Sequence, residues 1–384
     1  MFFDPPQGRE NVARSQARVR ILHTSDWHLG RRFFGRSLVG DQEYVLDQMT
    51  NLARDLRPDV LVVAGDVFHQ RDPDHEAIAL FHDALNKFLN LGTVVVFLAG
   101  PTDDFKSLHL DARWVRNAGV HLFEDATQVL SPLNLRGHRD NFDVSFWCLP
   151  FPKSTDLAKL DQHPALYGRA LVEKVIQRLA PSDINVFLGY AWAQDAGRRS
   201  ELGGLVQSGG QPLEKRMLEF FDVAAMGGCH RPLQLLSNAH YSGSLLCYEP
   251  EDPEPGRGIT FYEIESKDKI YIDTYPLHPR RSLKVLSGSW EELIREGRQL
   301  RNDDLVVLRS EERDLTSEQR AELRILGPNI VSLELPSPFA EPDDEHPTSL
   351  SALVADFCTF VKSQAGREPD DDEIELLKEL EQQL

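Results

Sequence analysis

The chain has 384 residues, of which 41% are hydrophobic and 27% are charged, and its formal net charge at pH 7 is −19. This composition is typical of a globular protein of two or three domains, and the acidic balance argues against nucleic acid as a partner of the whole surface. No apolar run is long enough to span a bilayer, no secretory signal is recognisable, and the four cysteines form no C-x-x-C pair. We therefore expect a cytoplasmic protein with reduced thiols and no membrane association.

The N-terminal part of the chain predicts a polar lead-in followed by a strand. Residues 1–18 are rich in polar residues, proline and glycine, and we expect them to be disordered. The apolar run that starts at Val19 ends in a polar loop that carries Asp26 and His28. A carboxylate and an imidazole so close together can bind one cation, and this pair of ligand types suits Mn, Fe or Zn.

The same pattern, an apolar run that ends in a polar or glycine-rich loop, recurs along the chain. The further examples are 59–66, 94–103, 184–190 and 223–230. In open α/β sheets, ligands bind at the carboxyl ends of the strands. We therefore expect these loops to meet at one sheet edge and to form a metal site there.

Apolar residues at helical spacing predict helices between several of these strands. They cover 40–57, 75–91, 108–118 and 166–180, and a glycine- and arginine-rich surface loop follows at 194–211. Tyr241–Ser244 and Gly258–Glu265 are predicted to continue the sheet. In the second of these segments Ile259, Phe261 and Ile264 lie among polar neighbours, which favours a strand with one solvated face.

The pattern changes near Pro279, where a compact βαβαβ unit is predicted. Its strands are 282–286, 304–308 and 330–335, and its helices are 290–300 and 316–326. An acidic, proline-rich linker and two amphipathic helices follow. The predicted organisation is a lead-in at 1–18, a main domain at 19–279, a small domain at 280–336, a linker at 337–347 and a helical pair at 348–384.

Short motifs give the chain a family resemblance. They are Asp26-Trp-His28, Gly65-Asp-Val-Phe-His69, Gly227-Gly-Cys-His-Arg-Pro232 and Tyr241-Ser-Gly-Ser244. In this order the chain resembles the calcineurin-like metallophosphoesterases, and more narrowly the SbcD-type nuclease subunits of the SbcCD complex in DNA double-strand-break repair. The resemblance implies an α/β fold: a metallophosphoesterase sandwich of mixed β-sheets flanked by helices, with a small α/β capping domain and C-terminal helices.

The resemblance implies one intact metal site and one degenerate site. The family binds two metals, and the ligands of the first correspond to Asp26, His28, Asp66 and His230. The second metal shares Asp66, but its other ligands correspond to Pro101, Tyr190 and Gly228. The catalytic histidine of the family corresponds to Thr102, and threonine cannot donate a proton as an imidazolium does.

These departures predict an SbcD-like subunit whose nuclease activity is lost or strongly reduced, a pseudonuclease that serves as a scaffold for DNA ends or for an ATPase. It would bind one divalent metal, Mn before Zn or Fe, with no second metal and no residue assigned to catalysis. The alternative is an active Mn-dependent DNA exonuclease or endonuclease that uses one metal or recruited ligands. Candidates for recruitment are Asp103, Asp104, His109 and Cys229, although solvated loop residues and a small buried thiol explain the same positions. A protein phosphatase of the same superfamily would leave the C-terminal elements unexplained.

Phosphate contacts and partners are predicted partly from charge and partly from the resemblance. His69, Arg31 and Arg231 lie next to the candidate site loops and are the predicted phosphate-binding residues. The resemblance also implies an SbcC-like coiled-coil ATPase bound by the C-terminal helices, double-stranded DNA ends, and a homodimer formed through helices 75–91 and 108–118. Packing of these helices on their own protein explains the same apolar stripes.

Overall fold

The computed structural model describes residues 19–105, 118–136, 143–152, 164–193, 212–250, 256–301, 303–312, 314–326 and 330–335. The predicted lead-in, nearly all of the predicted helix over 108–118, the loop at 194–211, the linker and the C-terminal helices lie outside the described residues. All described helices and strands belong to one compact unit, and a second unit comprises 311–314 and 335–384. The predicted domain boundaries stay predictions.

Nineteen strands and five α-helices are described. In chain order the strands are β1 (Val19–Thr24), β2 (Arg32–Phe33), β3 (Arg36–Ser37), β4 (Val60–Ala64), β5 (Val94–Leu98), β6 (Val120–Phe123), β7 (Leu133–Arg136), β8 (Asp143–Leu149), β9 (Ile184–Tyr190), β10 (Trp192–Ala193), β11 (Pro212–Leu213), β12 (Val223–Gly227), β13 (Leu233–Gln234), β14 (Ala239–Tyr241), β15 (Gly258–Ser266), β16 (Lys269–Pro276), β17 (Leu283–Gly288), β18 (Leu305–Ser310) and β19 (Ile330–Glu334). The α-helices are α1 (Val39–Leu56), α2 (His75–Asn90), α3 (Pro164–Ile176), α4 (Trp290–Gly297) and α5 (Ser317–Leu326), and 3₁₀ turns cover Ala126–Leu130 and Lys215–Phe220.

The candidate site loops come from two sheets, so the prediction of a single sheet edge is wrong. One sheet has the order β16-β15-β1-β4-β5-β6, and the other has the order β13-β14-β12-β9-β8-β7. β1, β4 and β5 are parallel in the first, and β8, β9, β12 and β14 are parallel in the second. Sequence patterning identified the strands, but it carries no signal for which strands pair across a long separation in sequence.

The two sheets pack face to face and helices cover their outer faces. Val62 and Val96 of the first sheet share a buried cluster with Val186 and Ala225 of the second. The outer face of the first sheet packs against α1 and α2, and the outer face of the second packs against α3. This arrangement confirms the predicted sandwich of mixed sheets flanked by helices.

Most predicted elements agree with the structure to within two residues at each end, but the helix predicted over 290–300 ends at Gly297. Two further expectations are corrected. The helix predicted to reach Ala180 ends at Ile176, because the chain tightens there into i→i−3 hydrogen bonds from Arg178 N to Val175 O (2.8 Å) and from Leu179 N to Ile176 O (3.4 Å). Tyr241 is the last residue of β14, so residues 242–244 form a loop, and β14 and β15 belong to different sheets.

The prediction of a solvated face on β15 is also wrong. Thr260 and Tyr262 are 3% and 0% exposed, because the face that carries them is turned toward the second sheet. Ile264 lies on this face with Tyr262, whereas Ile259 and Phe261 belong to the cluster that packs on α1 and α2. A strand between a helical layer and a second sheet is buried on both faces, whatever the alternation of its residue types.

The βαβαβ unit is present and is joined to the main sheet by apolar and polar contacts. β17, β18 and β19 form a parallel three-stranded sheet, and Leu283, Leu305 and Val307 belong to the same apolar cluster as α1. The Gln48 side chain donates to His278 O (2.6 Å) and accepts from His278 N (3.1 Å).

Asp41 of α1 provides a buried ionic contact to the start of this unit. Its side chain is 4% exposed and accepts hydrogen bonds from the Arg281 guanidinium, including one from Nε at 2.9 Å. Asp41→Ala is expected to lower the free energy of unfolding by about 2 kcal/mol, because charged hydrogen bonds are lost from a buried site. Urea unfolding measures this difference.

Asp47→Ala on the same helix is the matched control. Asp47 pairs with Lys87, but its side chain is 50% exposed, so its loss should cost under about 1 kcal/mol. Equal effects of the two substitutions would contradict a special role for Asp41.

Among the described residues no helix combines the length and the apolar character needed to cross a membrane.

Candidate metal centre

The candidate site forms where strand ends of both sheets meet. Asp26 and His28 follow β1, Asp66 follows β4, and His230 follows β12. Small residues allow this approach: a Cβ on Gly227 would lie 1.6 Å from Ala64 O in the opposite sheet. The two sheets therefore supply different ligands to one site.

Asp26, His28 and His230 form a buried cluster of donor atoms. One ligand atom from each lies within 4.8 Å of the others, and all three residues are at most 5% exposed. The two Nε2 atoms of His28 and His230 are 3.1 Å apart, and Asp66 Oδ2 lies 3.9 Å from His28 Nε2. Two imidazoles and nearby carboxylates are a donor set that binds Mn, Fe or Zn.

The protonation of His28 fits this role. Burial lowers its pKa well below the ordinary value, and His230, Arg31 and His69 lower it further. A neutral imidazole is the form that binds a metal. For Asp26 the effect of burial has the opposite sign: it raises the pKa to about 7, although His230 opposes the shift. The raised pKa shows that the buried carboxylate lacks a sufficient positive charge nearby, and a bound cation would stabilise it. The residues present therefore fit a single divalent ion.

Left-handed backbone conformations aim these ligands. The φ angles of Asp26, His28 and Asp66 are 51°, 45° and 47°, values that residues other than glycine rarely adopt. The loops after β1 and β4 hold them in place by hydrogen bonds from Asp26 N to Gly65 O (3.0 Å) and from His28 N to Asp66 O (2.9 Å). Strain of this kind is concentrated at functional sites, where the surrounding structure maintains it.

The buried side chain of Gln42 holds the loop after β1 through hydrogen bonds to its backbone. The Gln42 side-chain amide donates to His28 O (2.7 Å) and Trp27 O (3.1 Å), while its oxygen accepts from Gly30 N (3.1 Å). Gln42 was not predicted as a site residue, because it lies in the first turn of a predicted helix. A polar residue on the apolar face of that helix was the signal that could have indicated it.

The His230 loop is fixed through its backbone. His230 O accepts hydrogen bonds from Ser244 N (3.0 Å) and from the buried guanidinium of Arg257. Ser244 belongs to the Tyr241-Ser-Gly-Ser244 motif, and the neighbouring Ser242 lies 2.9 Å from Ser25, whose hydroxyl donates to Asp26 Oδ2 at 2.5 Å. The motif therefore connects the two sheets beneath the metal ligands.

Tyr190, at one predicted ligand position of the second metal, and Thr102, at the predicted position of the catalytic histidine, both form hydrogen bonds with Asp66. Tyr190 Oη donates to Asp66 Oδ2 at 2.6 Å. Thr102 donates to Asp66 Oδ1 from its hydroxyl (2.5 Å) and from its backbone N–H (3.3 Å), and its hydroxyl also lies 2.7 Å from Phe68 O. Both oxygens of the carboxylate are thus engaged. We refer to these contacts as the Tyr190–Asp66–Thr102 network.

The network is buried and close-packed. Tyr190 is 4% exposed, and its ring packs on Gly65, where a Cβ would lie 2.0 Å from the ring. Burial raises the pKa of Tyr190 well above its ordinary value, with Asp66 adding to the shift, so the phenol stays protonated and acts as a donor. Burial also raises the pKa of Asp66, while the hydrogen bonds from Thr102 and Tyr190 oppose that shift.

Gly228 and Pro101 offer no side-chain ligand. Gly228 has a φ of 92°, which an L side chain rarely adopts, and its N–H donates to Asp26 Oδ2 at 3.1 Å. A histidine at 228 would therefore need a different backbone as well as a different side chain.

The predicted phosphate-binding residues His69, Arg31 and Arg231 are all among the described residues. The His69 ring is 5.9 Å from the His28 ring, and burial, then Arg31, lowers its pKa to about 4. The Arg31 guanidinium lies 5.2 Å from the centre of the Tyr248 ring and 3.4 Å from Glu249 Oε1. Arg231 is half-buried directly after His230. Their phosphate contacts stay predictions.

Of the candidates for recruited ligands, Asp103 was misjudged. It is neither solvated nor directed at the metal ligands. Its side chain is buried and accepts hydrogen bonds from Gly100 N (2.8 Å), Phe68 N (2.9 Å) and Val67 N (3.1 Å). It therefore organises the loops after β4 and β5. Cys229 is buried as expected, Asp104 is half-buried, and His109 lies outside the described residues.

Comparison with known proteins identifies the family of the chain. The model of the calcineurin-like phosphoesterase family matches residues 19–225, and the chain belongs to that family. Among individual proteins, it is similar to the SbcD subunit of the nuclease SbcCD of Staphylococcus saprophyticus, with 26% identity over 328 residues that cover 82% of this chain and 84% of the relative.

The solved structures that match the chain share little sequence with it. TT1561 of Thermus thermophilus is 14% identical, with a TM-score of 0.40, and the match covers 67% of this chain and 98% of that one. GAP50, the anchor in the inner membrane complex of Plasmodium, is 11% identical, with a TM-score of 0.42, and the match covers 85% of this chain and 100% of that one.

Proposed function

We propose that this protein is an SbcD-like subunit of a DNA double-strand-break processing complex, with nuclease activity lost or strongly reduced. The observation that carries the proposal is the Tyr190–Asp66–Thr102 network. A phenol and a hydroxyl engage both oxygens of the carboxylate that the two metals of this family share. Similarity to a nuclease subunit over most of the chain supports the assignment of the complex.

One divalent ion is proposed, bound by Asp26, His28, Asp66 and His230. Mn is our first choice, followed by Zn or Fe, because the donors combine imidazole nitrogen with carboxylate oxygen. A bound divalent ion supplies Lewis acidity toward a phosphoryl oxygen. Thr102 supplies no ionisable group where the family has its catalytic histidine, so proton transfer to the leaving group has no assigned donor.

The expected loss of activity is large. General acid–base catalysis and electrostatic stabilisation by a second ion are each typically worth a few kcal/mol. Their combined absence should remove on the order of 3–7 kcal/mol of transition-state stabilisation, which is roughly 10²- to 10⁵-fold in rate. The retained functions are then binding functions.

We propose double-stranded DNA ends and an SbcC-like coiled-coil ATPase as partners, and a homodimer as the assembled form. The hydrogen bond from Arg281 to Asp41 of α1 supports a capping unit that is held against the main domain. Such a unit suits selection of the DNA form even in the absence of cleavage.

Cleavage of end-labelled linear duplex DNA in Mn²⁺, with and without the ATPase, tests the proposal. Wild type and Asp66→Ala are both expected to leave the DNA uncut, while wild type still binds the DNA or the ATPase. The SbcD relative from Staphylococcus saprophyticus serves as the positive control for the assay.

The opposite outcome supports a second candidate function, a nuclease that works with one metal. The buried cluster of Asp26, His28 and His230 is complete, and this observation favours that candidate. If wild type cuts the DNA and Asp66→Ala does not, the scaffold function is wrong and the one-metal nuclease replaces it.

A further inference from the structure

A short hairpin next to the metal ligands is not explained by the fold or by the proposed metal site. Its strands β2 and β3 pair Arg32 with Ser37 and Phe33 with Arg36, so that Phe34 and Gly35 form the turn. Hydrogen bonds from Arg31 N to His28 O (3.0 Å) and from Leu38 N to Arg31 O (3.1 Å) attach the base of the hairpin to the His28 loop. We refer to residues 32–37 as the RF hairpin.

The turn residue Phe34 is unfavourable for its conformation. Phe34 and Gly35 have φ angles of 45° and 80°, the positive pair that a type I′ turn requires. Such turns favour Asn-Gly, because asparagine tolerates the left-handed region far better than a bulky side chain does. A phenylalanine here therefore lowers the stability of the turn.

Burial of the ring does not compensate for this conformation. Phe33 is 5% exposed and belongs to the cluster around α1, so it anchors the hairpin. Phe34 is 51% exposed, with its ring 4.7 Å from that of Phe33 and perpendicular to it. A large aromatic ring is thus presented to solvent on a strained backbone, a combination that indicates binding rather than folding.

The charge around the ring indicates the chemistry of the ligand. Arg32 is exposed and Arg36 is half-buried on the paired strands, and Arg31 precedes them, in a chain whose net charge is −19. Arg32 Nε donates to Gly35 O at 3.1 Å, which places its guanidinium beside the turn. An exposed aromatic ring between cations is the arrangement that binds single-stranded nucleic acid, in which bases stack on the ring and phosphates contact the cations.

We propose that the RF hairpin binds an unpaired nucleotide of a DNA end, with Phe34 stacked on the base and with Arg32 and Arg36 near the flanking phosphates. This rests on the proposed function, because it assumes that the protein binds DNA ends. An unpaired base can turn out of the stack and offer a free face to Phe34, whereas a blunt end exposes only the outer face of its terminal base pair. We therefore expect the hairpin to bind ends with overhangs more tightly than blunt ends.

Phe34→Asn in the full-length protein tests the proposal. Wild type and variant are titrated, by fluorescence anisotropy, against a blunt duplex and the same duplex with a short single-stranded overhang. The variant is expected to bind the overhang substrate roughly 5- to 150-fold more weakly, the range for loss of one stacked base, and to bind the blunt duplex like wild type. Its melting temperature should be unchanged or higher, because asparagine suits the turn.

Two matched variants separate stacking from charge. Phe34→Trp keeps an aromatic face and should retain the preference for the overhang. Arg32→Gln should weaken binding to the overhang and reduce the slope of log K against log salt by about 0.7, the value for one phosphate contact to a single strand.

The remaining outcomes overturn the proposal in distinguishable ways. If Phe34→Asn binds both substrates like wild type, the hairpin does not stack on DNA, although the proposed function stands. An equal loss on both substrates would show a general duplex contact instead of recognition of an unpaired base. If wild type binds neither substrate, with or without the ATPase, the proposed DNA function fails and this inference fails with it.

Discussion

His230→Ala is expected to bind Mn²⁺ at least about 100-fold more weakly than wild type, which should bind one ion per chain. Substitutions of groups that only orient metal ligands already cost about 10- to 100-fold in affinity, and loss of a ligand should cost at least as much. His230 Nε2 lies 3.1 Å from His28 Nε2, so its removal takes away one of the two nitrogen donors. Isothermal titration calorimetry and metal analysis measure the affinity and the stoichiometry.

His69→Ala is the matched control for this experiment. Its ring is 5.9 Å from the His28 ring, but it is outside the cluster of Asp26, His28 and His230. Its removal should leave Mn²⁺ affinity unchanged. Binding of two ions by wild type, or an equal loss in His69→Ala, would contradict the one-metal assignment.

Rebuilding the second site is expected to raise DNA cleavage in Mn²⁺ at least about 100-fold over wild type, with a second ion bound. The variant combines Pro101→Asn, Thr102→His and Tyr190→His, which restore two ligands and an imidazole at the positions where the family has them. Replacement of Tyr190 and Thr102 also removes the two side-chain hydrogen bonds to the oxygens of Asp66. Return of a general acid alone is typically worth 10²- to 10⁴-fold.

Gly228 is left unchanged in this variant because of its φ of 92°. Tyr190→Phe is the control, since it removes the hydrogen bond to Asp66 without adding a ligand, and it should bind one ion and leave the DNA uncut. If the rebuilt variant folds, as judged by circular dichroism, but still binds a single ion, then loss of the second site also depends on the backbone at Gly228.

The backbone strain of three candidate ligands is maintained by contacts between loops that are distant in sequence. Asp26, His28 and Asp66 all have positive φ angles. Hydrogen bonds between the loops that carry them maintain this geometry, as do the contacts of Gln42 with Trp27 O and His28 O. The same loops leave the Asp66 carboxylate within hydrogen-bond distance of Tyr190 and Thr102, where the resemblance predicts a degenerate second site.

Several of the longer elements and the candidate residues of the first site could be predicted from the sequence alone. Helical and strand periodicity depend on which residues are apolar, so α1, α2 and the βαβαβ unit were predicted nearly to their ends. The motifs also identified Asp26, His28 and His230, whose donor atoms the structure brings together. Local patterning carries this information because each element buries one of its own faces.

Only the tertiary structure decided how these parts combine. Two sheets rather than one supply the ligands, and β15 is buried on both faces, because strand pairing and layering depend on contacts between distant segments. Contacts between distant segments also set the roles of several polar side chains. Tyr190 and Thr102 donate to Asp66, Asp103 accepts backbone hydrogen bonds, and Gln42 supports the His28 loop. A residue type names the groups that a side chain can offer, but the partner of each group is fixed only when the chain has folded.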